Sequence, residues 1–273
     1  MNALLRSFDD SATMLRRQLI HFRRYPSLTF FVVAMPVVFL LLFVYVLGGT
    51  MGAGLGAGTG AGAAAGGNAD SRQAYLQFVT PGILIMAIAG VVQGTAIGVG
   101  MDMTTGIFAR FRTMSISRMS VLMGHVLGGM FQAALTLALV LIVAVLIGYR
   151  SGASPLAWLG IAGILALTSF ALIWLTAALG MACNSVESAS NVGMPIVLLP
   201  FLGSGVVPAG SLPGPLHFFA QYQPFTPIID MLRGLLGGQP VEGSALAAVA
   251  WCLAITVASF LWARHLYNRD PIR

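Results

Sequence analysis

Long apolar runs constrain the fold of this chain more than any other feature. A helix needs about 20 apolar residues to cross the roughly 30 Å hydrocarbon core of a bilayer, and six runs have about that length. Hydrophobic residues make up 58% of the sequence and charged residues only 8%, which leaves too little polar surface for a soluble domain. The sequence predicts an all-α membrane protein with six transmembrane helices, at 28–47, 81–100, 119–147, 156–182, 190–207 and 245–263.

The arginines indicate the orientation of these helices. All 14 basic residues are arginines, and the net charge is +6. With a cytoplasmic N-terminus, the external segments contain Arg72, Arg150 and Arg233, and the other eleven arginines are cytoplasmic. This excess follows the positive-inside rule and predicts that both termini are cytoplasmic. No basic face interleaved with aromatic residues is found, so we expect no nucleic-acid partner.

The first 27 residues carry a helical pattern. Apolar residues recur there at three- and four-residue spacing, at Leu4, Phe8, Ala12, Leu15, Leu19 and Phe22. Arginines occupy the other faces, at Arg16, Arg17, Arg23 and Arg24. The pattern predicts an amphipathic helix in the cytoplasmic interface, with its arginines near anionic headgroups. A soluble packing helix is the alternative.

Positive charge is concentrated between the second and third runs. Arg110, Arg112 and Arg118 lie within nine positions, and three arginines at the bilayer centre would cost roughly 8–10 kcal/mol. The segment 104–117 is therefore a cytoplasmic connection. Apolar residues mark one side of a short helix, at Ile107, Phe108, Phe111 and Met114, and Asp102, Thr104 or Thr105 are candidates for capping its start. Such a helix rests on lipid headgroups or inserts into a groove of a partner.

The segment 208–243 is rich in proline and glycine but strongly apolar. It contains two short amphipathic stretches, GPLHFFAQY and TPIIDMLRGLL, and the spacing of Asp230 and Arg233 allows an ion pair along one helix face. We expect re-entrant or interfacial helices at the external membrane face. Non-helical backbone there must be covered by protein or contact water. The glycine-rich stretch 48–72 has no phosphate-binding motif and is interpreted as an external linker.

The apolar runs contain few groups that could do chemistry. His125 is the one histidine inside a run and is interpreted as a packing residue, while Asp102 and Glu187 fall at cytoplasmic ends. Ion-coupled transporters need ionisable residues inside the membrane, and no hydrolase motif occurs. Cys183 and Cys252 are isolated and form no metal-binding pattern. We expect a chain that is not an enzyme by itself and binds no cofactor or metal.

Three stretches resemble ABC-2 type transport permeases, most closely the daunorubicin-resistance subfamily of exporters. They are QAYLQFVTPGIL (73–84), GIFARFRTMSISRMSVLMG (106–124) and QPFTPIIDMLRGLLGG (223–238). Pro224 and Arg233 stand at the recurrent proline and arginine of the third stretch. The second stretch departs from the family pattern, because Ser115 replaces its usual proline and Ala109 its usual acidic residue.

The resemblance implies a type V exporter-like transmembrane domain over 28–273, in the bacterial plasma membrane. It implies a second permease copy or paralogue and a dimer of separate ATPase subunits that bind ATP and Mg. The segment 104–117 would be the coupling helix that docks into the ATPase, through Gly106, Ile107, Phe108, Arg110, Phe111 and Arg112. The implied function is export of a hydrophobic or amphipathic drug-like compound or a lipid. A structural or immunity-type membrane protein and an ion-coupled carrier are the alternatives.

Overall fold

The computed structural model describes residues 26–52, 68–105, 120–183, 185–207, 214–239 and 241–268. Within these ranges the backbone forms helices joined by turns, and no strand occurs. The helices are α1 (Pro26–Leu42), α2 (Asn68–Thr104), α3 (Ser120–Ile147), α4 (Pro155–Ala182), α5 (Val186–Leu198), α6 (Gly214–Tyr222), α7 (Phe225–Gly237) and α8 (Glu242–Asn268). A π-helical turn, Phe43–Leu47, follows α1, and α-helical backbone resumes from 48 to 52.

Five helical segments in the described part of the chain are long and apolar enough to cross a bilayer. They are Phe30–Gly52, Ser71–Thr104, Leu122–Ile147, Pro155–Ala182 and Gly243–Leu266. These segments overlap the first four predicted runs and the last one. The prediction of an all-helical membrane fold is therefore confirmed for the described residues.

The prediction of a continuous span at 190–207, the fifth of the six runs, is not confirmed. The helix α5 ends at Leu198, and turns follow through Val206. The turns are held by short-range bonds, such as the one from the Gly203 N–H to the Pro200 carbonyl at 3.4 Å. Pro200 has no backbone N–H and cannot continue a regular ladder of hydrogen bonds. The segment is consequently a short helix plus compact turns.

The second span, α2, is the centre of the molecule. Its most apolar window is 72% buried, whereas the corresponding windows of the first and last spans are 17% buried. It begins at Asn68, well before the predicted start at 81, and Pro81 lies inside it. At about 1.5 Å per residue, its 37 residues extend about 55 Å, which exceeds the thickness of the hydrocarbon core.

The bundle has two ends that carry different structures. At the connection end, the chain leaves α2 at Thr105 and enters α3 at Ser120. At the re-entrant end, the Gln73 side-chain amide on α2 donates to the carbonyl of Gly148, just after α3, at 2.6 Å. The short helices α6 and α7 pack at the re-entrant end.

Small residues let the helices approach closely near the connection end. The carbonyl of Ala96 on α2 would lie only 2.8 Å from a Cβ atom placed on Gly180 of α4. A Cβ atom on Gly100 would similarly meet the side chain of Ala189 on α5 at 2.7 Å. Close approach through small residues is a common way for membrane helices to pack, and it fixes α2 between α4 and α5.

Candidate functional site

The two predicted amphipathic stretches of the re-entrant region both form helices, α6 and α7. Pro224 stands at the N-terminal boundary of α7 with helical backbone angles. Gly238 ends the helix with φ +69°, a left-handed conformation that glycine adopts without strain. One side of α7 is buried, through Phe225, Ile228, Ile229, Leu232 and Leu236.

Arg233 and Asp230 on α7 form the predicted ion pair. The Arg233 Nη1 donates to the Asp230 Oδ1 at 2.8 Å, and the Ser204 hydroxyl donates to the same oxygen at 2.8 Å. The Arg233 Nη2 donates to the Ser204 carbonyl at 2.6 Å, and the guanidinium lies over the Phe78 ring, 4.1 Å from its centre. We call Asp230, Arg233, Ser204 and Phe78 the arginine cluster.

The arginine cluster joins three parts of the chain. Arg233 belongs to α7, Ser204 to the turns after α5, and Phe78 to α2. Burial lowers the pKa of the Arg233 guanidinium from its usual value, and the charge of Asp230 opposes that shift. The guanidinium remains charged, because arginine does not lose its proton in proteins. The charged guanidinium therefore joins α7 to the turns after α5 by hydrogen bonds and to the central helix α2 through Phe78.

The turns after α5 are held against α2 by further contacts. A Cβ atom on Gly82 would collide with the carbonyl oxygen of Gly205, so the two backbones cross in direct contact. The Tyr75 hydroxyl donates to the carbonyl of Val206 at 3.4 Å. The Gln223 amide accepts from the Gly203 N–H at 2.9 Å and donates to the Leu199 carbonyl at 3.2 Å in the orientation that satisfies both groups.

An apolar groove of about 350 Å³ lies between α1, α2 and α5. Its walls are aromatic rings, methionines and small residues: Phe31, Val32, Met35, Pro36, Phe39, Met86, Gly90, Gln93, Met194, Val197 and Phe201. Gln93 is the one amide in this lining, and its Nε2 donates to the Ser190 carbonyl at 3.4 Å. Flat rings and polarizable thioethers favour binding of apolar and aromatic molecules.

The residues predicted for the coupling helix and for the N-terminal interface helix lie outside the described part of the chain. This holds for Gly106, Ile107, Phe108, Arg110, Phe111 and Arg112, and for the N-terminal Arg16, Arg17, Arg23 and Arg24. The described flanks show that α2 continues to Thr104, whose hydroxyl donates back to the Gly100 carbonyl at 3.1 Å. The hydroxyl of Thr105 likewise donates back, to the Met101 carbonyl at 2.8 Å.

Sequence reasoning missed a buried pair at the connection end. The His125 Nε2 lies 3.0 Å from the Asp102 Oδ2, and the two side chains are 5% and 12% exposed. His125 was interpreted as a packing residue and Asp102 as a candidate helix cap, so the two were not paired. The available signal was that both lie close to the ends of the same connection, Asp102 three residues before Thr105 and His125 five residues after Ser120.

The described residues offer binding surfaces rather than reactive groups. No group of three metal-ligating side chains is found in the searched ranges. Cys252 is buried, its Sγ lies 3.5 Å from the Thr168 hydroxyl, and Cys183 is partly buried. What these described residues offer is an apolar surface for binding.

Comparison with known proteins identifies the family. The pattern of the family described as "ABC-2 type transporter" matches residues 11–236. The chain is 29% identical over 228 residues to the "Daunorubicin resistance ABC transporter permease protein DrrB1" of Streptomyces coeruleorubidus, covering 83% of this chain and 74% of that protein.

A second similar protein is the "Probable doxorubicin resistance ABC transporter permease protein DrrC" of Mycobacterium tuberculosis (strain CDC 1551 / Oshkosh). The identity is 27% over 179 residues, and the match covers 63% of this chain and 64% of that protein. The protein of the same name from the H37Rv strain matches equally. Since the family pattern covers most of its length, this chain belongs to the ABC-2 type transporter family.

Proposed function

We propose that this chain is the permease subunit of an ATP-driven exporter whose cargo is an apolar, largely aromatic compound. The observation that carries the proposal is the groove between α1, α2 and α5, which combines aromatic rings and methionines with the single amide of Gln93. Its volume, about 350 Å³, is within the range of small-molecule binding sites. A lipid is the second cargo class that such a surface accepts.

The names of the relatives support this cargo class. All three are named for resistance to daunorubicin or doxorubicin, compounds that have flat fused rings. Aromatic rings bind such compounds by stacking, and methionine adapts to ring edges of different shapes. The amide of Gln93 supplies a polar contact that orients the cargo.

The energy source is a separate ATPase. In the proposed assembly, two ATPase subunits bind ATP and Mg in the cytoplasm, and two permeases, identical or paralogous, stand above them. The segment 104–117 docks into the ATPase, and the N-terminal helix lies beside it in the lipid interface. Both termini are cytoplasmic and the membrane is the bacterial plasma membrane; the distribution of arginines supports this orientation.

The re-entrant helices close the external end in this assembly. Arg233 contacts α2 at Phe78, within the candidate span Ser71–Thr104. A charged side chain beside an apolar span requires partners, and the arginine cluster provides them. We infer that α7, held on α2 by this cluster, covers the external end of the bundle.

Two matched substitutions test the groove. A Cβ atom on Gly90 would have no neighbour within 4 Å, so Gly90→Phe places a ring in the open groove. Ala138→Phe places a ring in a second apolar groove of about 290 Å³ between α3 and α4. In vesicles that contain the ATPase, we expect Gly90→Phe to reduce ATP-dependent daunorubicin transport by about tenfold or more, since a loss of about 1.4 kcal/mol in cargo binding already lowers affinity tenfold.

The control variant Ala138→Phe should retain near-normal transport, because the second groove is lined by α3 and α4 and shares no residue with the first. Both variants should purify with equal amounts of ATPase. Equal transport by the two variants would contradict the assignment of the first groove to cargo.

A further inference from the structure

The buried pair of His125 and Asp102 stands at the base of the segment that connects α2 to α3. The His125 Nε2 and the Asp102 Oδ2 are 3.0 Å apart. Asp102 lies near the end of α2 and His125 lies just over a turn into α3. The pair therefore joins the two helices where the chain leaves one and enters the other.

Joining two apolar helices through an ionisable pair costs desolvation free energy. Removing both groups from water costs free energy that their attraction only partly restores, and apolar side chains of similar size pack without that cost. A hydrogen bond is directional, so it sets the axial position of one helix relative to the other more exactly than apolar contacts do. This property favours a positioning role for His125 and Asp102.

Small residues bring α3 beside α2 near the pair. A Cβ atom on Gly98 would be 4.0 Å from the His125 Nδ1, an ordinary van der Waals distance, and one turn further along α3 a Cβ atom on Gly129 would be 3.0 Å from the Thr95 hydroxyl. The Nδ1 atom has no hydrogen-bond partner among the described residues. The ring of His125 thus lies beside α2, and its bond to Asp102 resists sliding of α3 along α2.

We infer that His125 and Asp102 are positioning residues that clamp the two ends of the segment 105–120. A displacement imposed on this segment then moves α2 and α3 as one body, and α2 carries Met86, Gly90 and Gln93 of the groove. This inference rests on the proposed function, because the His125–Asp102 pair would transmit movement of the ATPase to the groove.

The test uses the complex with its ATPase in vesicles, with daunorubicin as the probe. The measured quantity is the amount of daunorubicin transported per ATP hydrolysed. The variant His125→Leu removes the bond, His125→Gln keeps one hydrogen-bond donor near Asp102, and the exchange D102H/H125D keeps the pair reversed. Thr136→Val is the control, because Thr136 is buried on the same helix and its hydroxyl bonds back to the Gln132 carbonyl at 2.8 Å.

We expect His125→Leu to bind the ATPase and hydrolyse ATP, while transport per ATP falls by about tenfold, a typical coupling effect. His125→Gln and the exchange should recover most of that loss, and Thr136→Val should behave as the unsubstituted protein. The inference is overturned if His125→Leu keeps normal transport per ATP, or if Thr136→Val loses as much.

A proton-carrying role would give a different result. His125→Gln would then be as inactive as His125→Leu, because an amide does not titrate, and a pH gradient without ATP would drive transport. Either result would overturn the clamp.

A distance measurement keeps the test independent of the cargo and of a possible folding defect. Spin labels are placed at positions 105 and 120, in a chain whose Cys183 and Cys252 are replaced by alanine. We expect one narrow distance distribution that does not change when the ATPase binds nucleotide, and a broad one in His125→Leu. Equally narrow distributions would overturn the clamp, whereas failure of any ATPase to bind the unsubstituted chain would overturn the proposed function and leave the distance result valid.

Discussion

The two ends of the bundle are held together by different means. At the re-entrant end, the arginine cluster, the crossing of Gly82 with Gly205 and the bond from Gly152 N–H to the Leu236 carbonyl tie separate segments to α2 and α7. At the connection end, the buried pair and close contacts of small residues hold long helices side by side. At the first end, turns and short helices are bonded to one another and to α2. At the second end, whole helices are joined by a side-chain pair and by contacts of small residues.

This difference agrees with the proposed function, in which the ATPase acts on the connection end only. We infer that the re-entrant end is the rigid reference and that the connection end is displaced. Substitutions at the re-entrant end should therefore reduce stability, while substitutions at the connection end should reduce coupling or partner binding at nearly unchanged stability.

The largest expected effect is at Arg233. Arg233→Ala removes the partner of Asp230 and of the Ser204 carbonyl, and we expect the free energy of unfolding to fall by about 2–3 kcal/mol. Arg233→Lys keeps the charge but cannot form the fork to both groups, so its loss should be intermediate. Unfolding by denaturing detergent in mixed micelles measures both. Unfolding free energies equal to that of the unsubstituted chain would mean that the cluster is not a brace.

The second-largest expected effect on the free energy of unfolding is at the crossing of α2 with the turns after α5. Gly82→Ala forces a methyl group onto the Gly205 carbonyl, and we expect a loss of about 1–3 kcal/mol. Gly94→Ala is the matched control on the same helix, since its Cβ would have no neighbour within 4 Å. It should be neutral or stabilising by up to about 1 kcal/mol. Similar melting curves for the two variants would contradict the close crossing.

The smallest expected effect is at the connection itself. Arg110→Glu reverses one charge on the proposed coupling helix, and we expect the amount of co-purified ATPase to fall by about fivefold, equivalent to about 1 kcal/mol. The unfolding free energy should stay unchanged, in contrast to Arg233→Ala. Phe111→Ala should act in the same direction. Unchanged co-purification in both variants would remove this segment from the interface.

The sequence specified the local features of this fold better than its long-range contacts. The two re-entrant helices and the pairing of Asp230 with Arg233 follow from residue spacing along one helix. The partners of Arg233 at Ser204 and Phe78 did not, because they lie 29 and 155 residues away along the chain. The fifth run, 190–207, was wrongly predicted to be one continuous helix, because apolar content predicts that a segment is buried but not that its helix is unbroken.

The start of α2 and the buried pair illustrate the same limit. Proline usually marks a helix boundary, yet Pro81 lies inside α2, as membrane helices tolerate. Asp102 and His125 each have an ordinary interpretation alone. Only the antiparallel packing of α2 and α3 brings them within 3.0 Å.

The most direct test of the account is daunorubicin accumulation in inside-out membrane vesicles that contain this chain and its ATPase. The account predicts accumulation that requires both chains and ATP, persists when ion gradients are collapsed, and is lost in Gly90→Phe. Accumulation driven by an ion gradient without ATP, or a chain that repeatedly purifies without any ATPase, would contradict it.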